Sequence, residues 1–171
     1  MQKAITILIL FILVSCVSYN EFGTYRVNKS RYTLKPNEDN SVYSKIDTNA
    51  VYRFAKEEYK NVSGMQIKSF YKFYSNGKIG LFYTAKNDFN KDLLLDSRKA
   101  FMGFYSFNGK EIIAQFYNKN WHGQDLETDT LFIHQDTVVN VYSNSKNNSE
   151  VKLSYVREKI SNDVKIVQPD W

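Results

Sequence analysis

Residues 65–83 read MQIKSFYKFYSNGKIGLFY, from Met65 to Tyr83, and their alternation decides the fold class. Met65, Ile67, Tyr71 and Phe73 share one face of a first strand, and Ile79, Leu81 and Tyr83 share one face of a second. An apolar period of two marks a strand rather than a helix. Asn76-Gly77 between the runs is a strong hairpin turn signal. A two-residue loop would set Phe73 against Gly80 and throw Ile79 and Leu81 onto the opposite face. A three-residue loop, Ser75-Asn76-Gly77 with Gly77 left-handed, pairs Phe73 with Ile79 and Tyr71 with Leu81. That register puts the apolar side chains on one face, so a type I turn with a G1 bulge is expected.

The same pattern recurs along the chain. Phe104 to Lys110 (FYSFNGK) echoes FYKFYSNGK, and Glu111 to Tyr117 returns with Ile112, Ala114 and Phe116 on one face. Both loop lengths give that second hairpin a workable apolar face, so its register stays open. Thr130 to His134 and Thr137 to Tyr142 form a third hairpin turning at Gln135-Asp136, and Val151, Leu153 and Tyr155 mark a late strand. Gly23 to Val27 reads as an early strand, and Val51 to Tyr59 as a strand or a short helix. Residues 28–45 are polar, contain Pro36, and read as a long loop or irregular connection. The total is eight or nine strands with regular turn signals, which points to an all-β antiparallel meander. Such a meander closes most simply as an up-and-down barrel, because closure removes exposed sheet edges.

Composition agrees. With 13 Tyr, 12 Phe and 2 Trp the chain is rich in rings that pack well on a pleated surface. At 171 residues it is sized for one domain with a real core. The formal net charge is +5, and its basic residues are scattered rather than clustered in a stripe. That distribution argues against nucleic acid as a partner.

The first sixteen residues carry the most specific motif. One positive charge, Lys3, precedes an apolar run from Ala4 to Val14 interrupted only by Thr6. A spanning helix needs about 20 apolar residues, and this run is the size of a secretory h-region instead. It ends at Leu13-Val14-Ser15-Cys16, where Cys16 is the only cysteine of the chain. This segment resembles the signal peptide and lipobox of bacterial lipoproteins. The resemblance implies signal residues 1–15, cleavage between Ser15 and Cys16, and a diacylglyceryl group on the Cys16 thiol. A lipid bilayer then becomes a partner, with more than one acyl chain needed for stable anchoring. Val17 in place of Asp implies the outer membrane rather than inner-membrane retention. Residues 16–22 would form an acylated start and short tether, and residues 23–171 a single β-rich domain.

Gly23-Thr24-Tyr25 is similar to the Gly-x-Trp that opens the first barrel strand of lipocalins, with Tyr in place of Trp. Taken with the lipobox and the FYSNGK hairpin, the chain resembles small lipoproteins of Gram-negative bacteria that are β-rich and lipocalin-like. The resemblance implies a lipocalin-like barrel more than a specific task.

No catalytic constellation stands out. His122 and His134 have no ligand partners at recognisable spacing, so no metal site is assigned. With Cys16 acylated no thiol remains as a nucleophile, and no Gly-x-Ser-x-Gly elbow occurs. Asp125, Glu127 and Asp129 alternate on one strand face, and a solvated face is the simplest reading of them. No cofactor is implied and no enzymatic activity is expected. The rings of Tyr71, Phe73, Tyr83, Phe104, Phe116 and Tyr142 are the candidate lining of a cavity for a small apolar or lipid-like ligand. Small barrels either fill their interior with such rings or hold one ligand among them. The alternative is a scaffolding protein of the envelope whose exposed sheet face, with Phe70, Tyr74 and Phe82, contacts a protein partner.

Overall fold

A computed structural model describes residues 18–36, 41–60, 69–83, 95–120, 123–144, 149–162 and 164–171. The signal segment, Cys16, Met65, Ile67 and His122 lie outside the described residues. A short antiparallel ribbon comes first, β1 (Ser18–Tyr19) with β2 (Tyr25–Arg26). Eight strands follow: β3 (Ala50–Lys60), β4 (Ser69–Phe73), β5 (Lys78–Tyr83), β6 (Phe101–Phe107), β7 (Glu111–Asn120), β8 (Gly123–His134), β9 (Thr137–Asn144) and β10 (Ser149–Lys159). Each pairs antiparallel with its sequence neighbours, and β10 closes onto β3 to complete an up-and-down barrel. The chain is all-β and lipocalin-like in this closure. Residues 51–59 are strand, and their register with β10 shifts between Ser154 and Tyr155. That bulge lets Phe54 stay opposite Tyr155 with their rings 5.9 Å apart.

The hairpins follow local chemistry closely. Phe73 pairs with Ile79 and Tyr71 with Leu81, the register that places both apolar sets inside. The turn itself differs from expectation, since Asn76 (φ 59°) joins Gly77 (φ 66°) in the left-handed region. Asn tolerates that region better than most residues. Gly77 is required twice over, because a Cβ there would meet the Pro36 Cβ at 2.5 Å. The second hairpin takes the shorter loop, Phe107 opposite Ile112, with the Asn108 side chain accepting from the Lys110 and Glu111 amides. The third turns at Gln135-Asp136, with His134 opposite Thr137.

One end of the barrel carries these three tight turns. It is plugged by the segment after a 3-10 turn at Ser41–Ser44, which sends Val42 and Ile46 into the interior cluster. The Tyr52 hydroxyl accepts from the Asp47 amide, and the Tyr43 hydroxyl accepts from the Asn76 amide at 3.1 Å. Above this plug Tyr52, Phe73, Tyr105, Ile79 and Ile112 pack without solvent. Phe73 meets Tyr52 and Tyr105 edge-on at 5.3 Å each, a favoured ring geometry. Gly103 faces inward for a steric reason: a Cβ there would lie 2.6 Å from the Phe116 ring.

The outer wall of the barrel is wrapped by both chain ends. Gly23-Thr24-Tyr25 does not open a barrel strand; it belongs to the outer ribbon, and the first barrel strand begins at Ala50. Phe70 and Phe82 stack at 4.5 Å beneath Leu95, Ile160 and Val164, while Tyr74 packs edge-on against Trp171. All three of these rings are buried, so they present no free sheet face. The residues of the expected tether are also engaged, with the Asn20 amide donating to the Arg98 carbonyl and Glu21 paired to Arg98.

Lys72 points outward from β4 yet is 1% exposed. Its ammonium donates to the carbonyls of Thr48 and Phe73 and lies over the Tyr74 ring at 5.1 Å. Burial pulls its pKa down to about 8, with the Asp47 charge opposing that shift. Above pH 8 the unfolded chain still holds the proton that the folded chain has released. Stability therefore rises with pH until the unfolded lysine titrates near 10.5. Urea titrations at pH 7 and pH 9.5 are expected to differ by about 1–2 kcal/mol in this direction, and Lys72→Met is expected to remove the difference. An unchanged difference in the variant would refute the assignment.

Candidate ligand site

Inward positions at the other end of the barrel have a different character. Moving up from the aromatic floor, the interior passes through Tyr71, Phe116, Leu131 and Tyr155 to Asp129 and Asn140. Asp129 lies on β8 opposite Ala114, whose small side chain leaves room inside. Tyr71 donates its hydroxyl to Asp129 Oδ2 at 2.8 Å. Asn140 Nδ2 donates to the hydroxyls of Tyr71 at 2.9 Å and Tyr142 at 2.6 Å. The Ser69 and Tyr155 hydroxyls meet at 3.1 Å beside this group. A polar network thus sits inside a barrel otherwise filled with rings.

The electrostatics of that network are one-sided. Asp129 is 5% exposed and Asn140 is fully buried. Burial pushes the Asp129 carboxyl above its usual range, and hydrogen bonds from Tyr71 and Tyr142 offset this only in part. Glu127, on the same inward face of β8, pushes it further up. The hydroxyls of Tyr71, Tyr83, Tyr142 and Tyr155 are all raised, chiefly by burial, with the Asp129 charge contributing in each. Among the described residues Asp129 forms no ion pair, and Asn140 Oδ1 has no hydrogen-bond partner. A desolvated carboxylate without a cation costs free energy that an apolar side chain would not.

The candidate lining residues divide three ways. Tyr71, Phe73 and Phe116 face inward and pack on one another as core, with Tyr71 6.5 Å from Phe73 and 6.0 Å from Phe116. Tyr83 and Tyr142 also occupy inward positions but stand at the rim, 52% and 42% exposed. Tyr83 is braced edge-on by Phe101 at 5.3 Å. Phe104 faces the opposite way and is buried outside the barrel with Tyr32, Met102 and Tyr117, so it lines no interior site. No family model, curated protein or solved structure matches this chain. The site is therefore read from its own geometry alone.

Asp129 was expected on a solvated strand face, and that expectation fails. It shares inward parity with Leu131 and Ile133, which the alternation of β8 already implies. Asn140 likewise shares parity with Val138. Among the described residues no group of three or more His, Cys, Asp and Glu side chains could hold a metal. The outer wall carries a hollow of about 70 Å³, lined among the described residues by Val51, Phe70, Leu95, Ile160 and Val164. That is room for a few water molecules.

Proposed function

We propose that this chain is a lipid-anchored protein of the cell envelope, placed at the outer membrane, whose β-barrel binds a small, largely apolar ligand without catalysing its conversion. One observation carries the ligand reading: Tyr83 and Tyr142 occupy inward positions of the barrel and yet are about half exposed, above a closed aromatic floor. Inward rings at an open rim offer apolar surface that a ligand can cover, and small barrels use their mouths in this way. The packed floor supports a ligand at the mouth rather than deep in a calyx. The anchoring half of the proposal rests on the Leu13-Val14-Ser15-Cys16 lipobox and the apolar run before it. The scaffolding alternative draws no support from Phe70, Tyr74 and Phe82, which Leu95 and the C-terminal residues cover.

Titration of the detergent-solubilised full chain with the neutral dye N-phenyl-1-naphthylamine tests the binding half. Saturable fluorescence enhancement is expected, weakened at least fivefold by the double substitution Tyr83→Ser with Tyr142→Ser. Enhancement that never saturates, or that ignores the double substitution, would overturn it. For the anchor, Cys16→Ala is expected to release the protein from the membrane fraction or leave it unprocessed.

A further inference from the structure

The buried carboxylate at the barrel mouth has a chemistry that an apolar ligand alone does not explain. Asp129 is surrounded by hydroxyls that hydrogen-bond it, yet among the described residues no cation is paired with it. Beside it Asn140, fully buried, holds a side-chain oxygen that accepts no hydrogen bond, while its side chain hydrogen-bonds Tyr71, Tyr142 and Asp129 through the amide nitrogen. Among the described residues the barrel therefore presents a buried carboxyl without a counter-charge and, beside it, a neutral oxygen without a donor. Around them stand the rings of Tyr71 and Tyr155, 4.6 Å apart, with Tyr83, Phe101 and Tyr142 at the rim. Desolvated ring faces attract organic cations, and the attraction grows as water is excluded.

We infer that the barrel mouth is a binding site for a small organic cation, a protonated amine carried on an apolar or aromatic body, with its ammonium received by the Asp129 carboxylate and the Asn140 side-chain oxygen. The inference rests on the proposed ligand-binding reading and names its ligand class. An ammonium brings both a positive charge, which Asp129 lacks beside it, and N–H donors, one of which the Asn140 oxygen can accept. Its charge replaces the missing partner of Asp129, so the cost of desolvating that carboxylate in the free barrel is recovered on binding. The body of the ligand covers the exposed faces of Tyr83 and Tyr142. Tyr142 is the gate, since it combines 42% exposure with a hydroxyl in the network. A bare divalent cation fits less well, because it prefers six or more oxygen ligands and gains little from ring faces. Keeping a lone carboxylate inside a barrel is costly for stability alone, and strained ionisable groups of this kind concentrate at functional sites.

The test compares two probes of one shape, 2-phenylethylamine, protonated at pH 7.5, and 2-phenylethanol, by calorimetric titration of the full chain in detergent. The amine is expected to bind at least tenfold more tightly than the alcohol. Asp129→Asn should erase that preference while leaving alcohol affinity within twofold and the melting temperature equal to or above that of the parent. Glu127→Gln should preserve the preference, which separates the buried carboxylate from general negative charge at the rim. Equal binding of amine and alcohol, or a preference that survives Asp129→Asn, overturns the inference. If neither probe binds while the neutral dye still saturates, the amine assignment falls and the ligand-binding reading stands. If the dye fails as well, both fall. Should Asp129→Asn not fold, the amine-to-alcohol ratio of the parent protein decides the question by itself.

Discussion

Truncating Phe73 to alanine is expected to lower the stability of the folded protein by about 3–5 kcal/mol, the range for removing a buried ring from a packed core. Phe73 has no solvent exposure, and its two edge-on partners at 5.3 Å, Tyr52 and Tyr105, sit on the adjacent strand β3 and on β6 two strands away. Neither backbone can close the resulting hole without breaking ladder hydrogen bonds on both sides. The plug residues Val42 and Ile46 lie in the same cluster, so the cavity forms at the floor where the seal depends on them. Urea denaturation should show a lower midpoint with an unchanged slope. A loss under about 1 kcal/mol, far below the usual range for such a truncation, would mean that the barrel floor is not packed and that a deep calyx is open. The same variant bears on function. Because the proposed site is at the mouth, amine and dye affinities measured below the melting transition should change little.

The second large effect is expected at Arg26. Its guanidinium donates to the carbonyls of Tyr25, Ser97, Arg98 and Ala100 and to the Thr24 hydroxyl. It also pairs with Asp170 at 2.9 Å and lies over the Trp171 ring at 5.0 Å. One side chain thus fastens the outer ribbon and the C-terminal strap to the 3-10 turn at Ser97–Lys99. Arg26→Ala would remove five hydrogen bonds, an ion pair and a ring contact at once. The Arg98 carbonyl keeps Asn20 and Thr24 as donors, and the Ser97 carbonyl keeps the Ala100 amide. A loss of about 2–4 kcal/mol is expected from lost contacts of this kind. Arg26→Lys should recover little, because an ammonium lacks the planar fork that reaches several carbonyls at once. Thermal melts of both variants check the magnitude, and the rate of proteolytic trimming of the C terminus checks the mechanism. A lysine variant as stable as the parent would show that charge, not the fork, holds the strap.

Lys72, Arg26 and Asp129 illustrate three fates of charge in one small barrel. Arg26 is satisfied by carbonyls and a carboxylate, and Lys72 by carbonyls and the Tyr74 ring at the expense of its proton affinity. Asp129 has hydrogen-bond donors but no counter-charge among the described residues. Only the last leaves an electrostatic deficit facing an opening, which is why the proposed ligand chemistry is placed there.

Much of the fold was legible from the chain itself because strand period and turn chemistry are local. The SNG loop set the pairing of Phe73 with Ile79 and Tyr71 with Leu81, since the one-residue slip of a two-residue loop would have turned the apolar residues outward. The outer ribbon was misread because Gly-x-aromatic says nothing about which sheet a short strand joins. Phe104 and Phe116 look equivalent in sequence, yet they lie on opposite sides of the wall, and only strand parity within the closed barrel separates them. Phe70, Tyr74 and Phe82 would be exposed on a bare barrel, and they are buried because Leu95 and the C-terminal residues Ile160, Val164 and Trp171 pack over them.

By itself the sequence determined the class of the protein: an aromatic-rich antiparallel meander with its hairpin registers, preceded by a segment resembling a lipoprotein signal. Its reasons are short-range, since alternation, turn residues and the lipobox each act within about a dozen residues. The candidate site was decided by tertiary structure. Tyr71 reaches Asp129 across 58 residues of chain, and Asn140 reaches Tyr71 across 69. Whether a carboxylate on a strand is solvated or buried depends on which face the closed barrel turns inward. The local alternation puts Asp129 on the face of Leu131 and Ile133, but whether that end of the face is buried is decided by the closure of β10 onto β3.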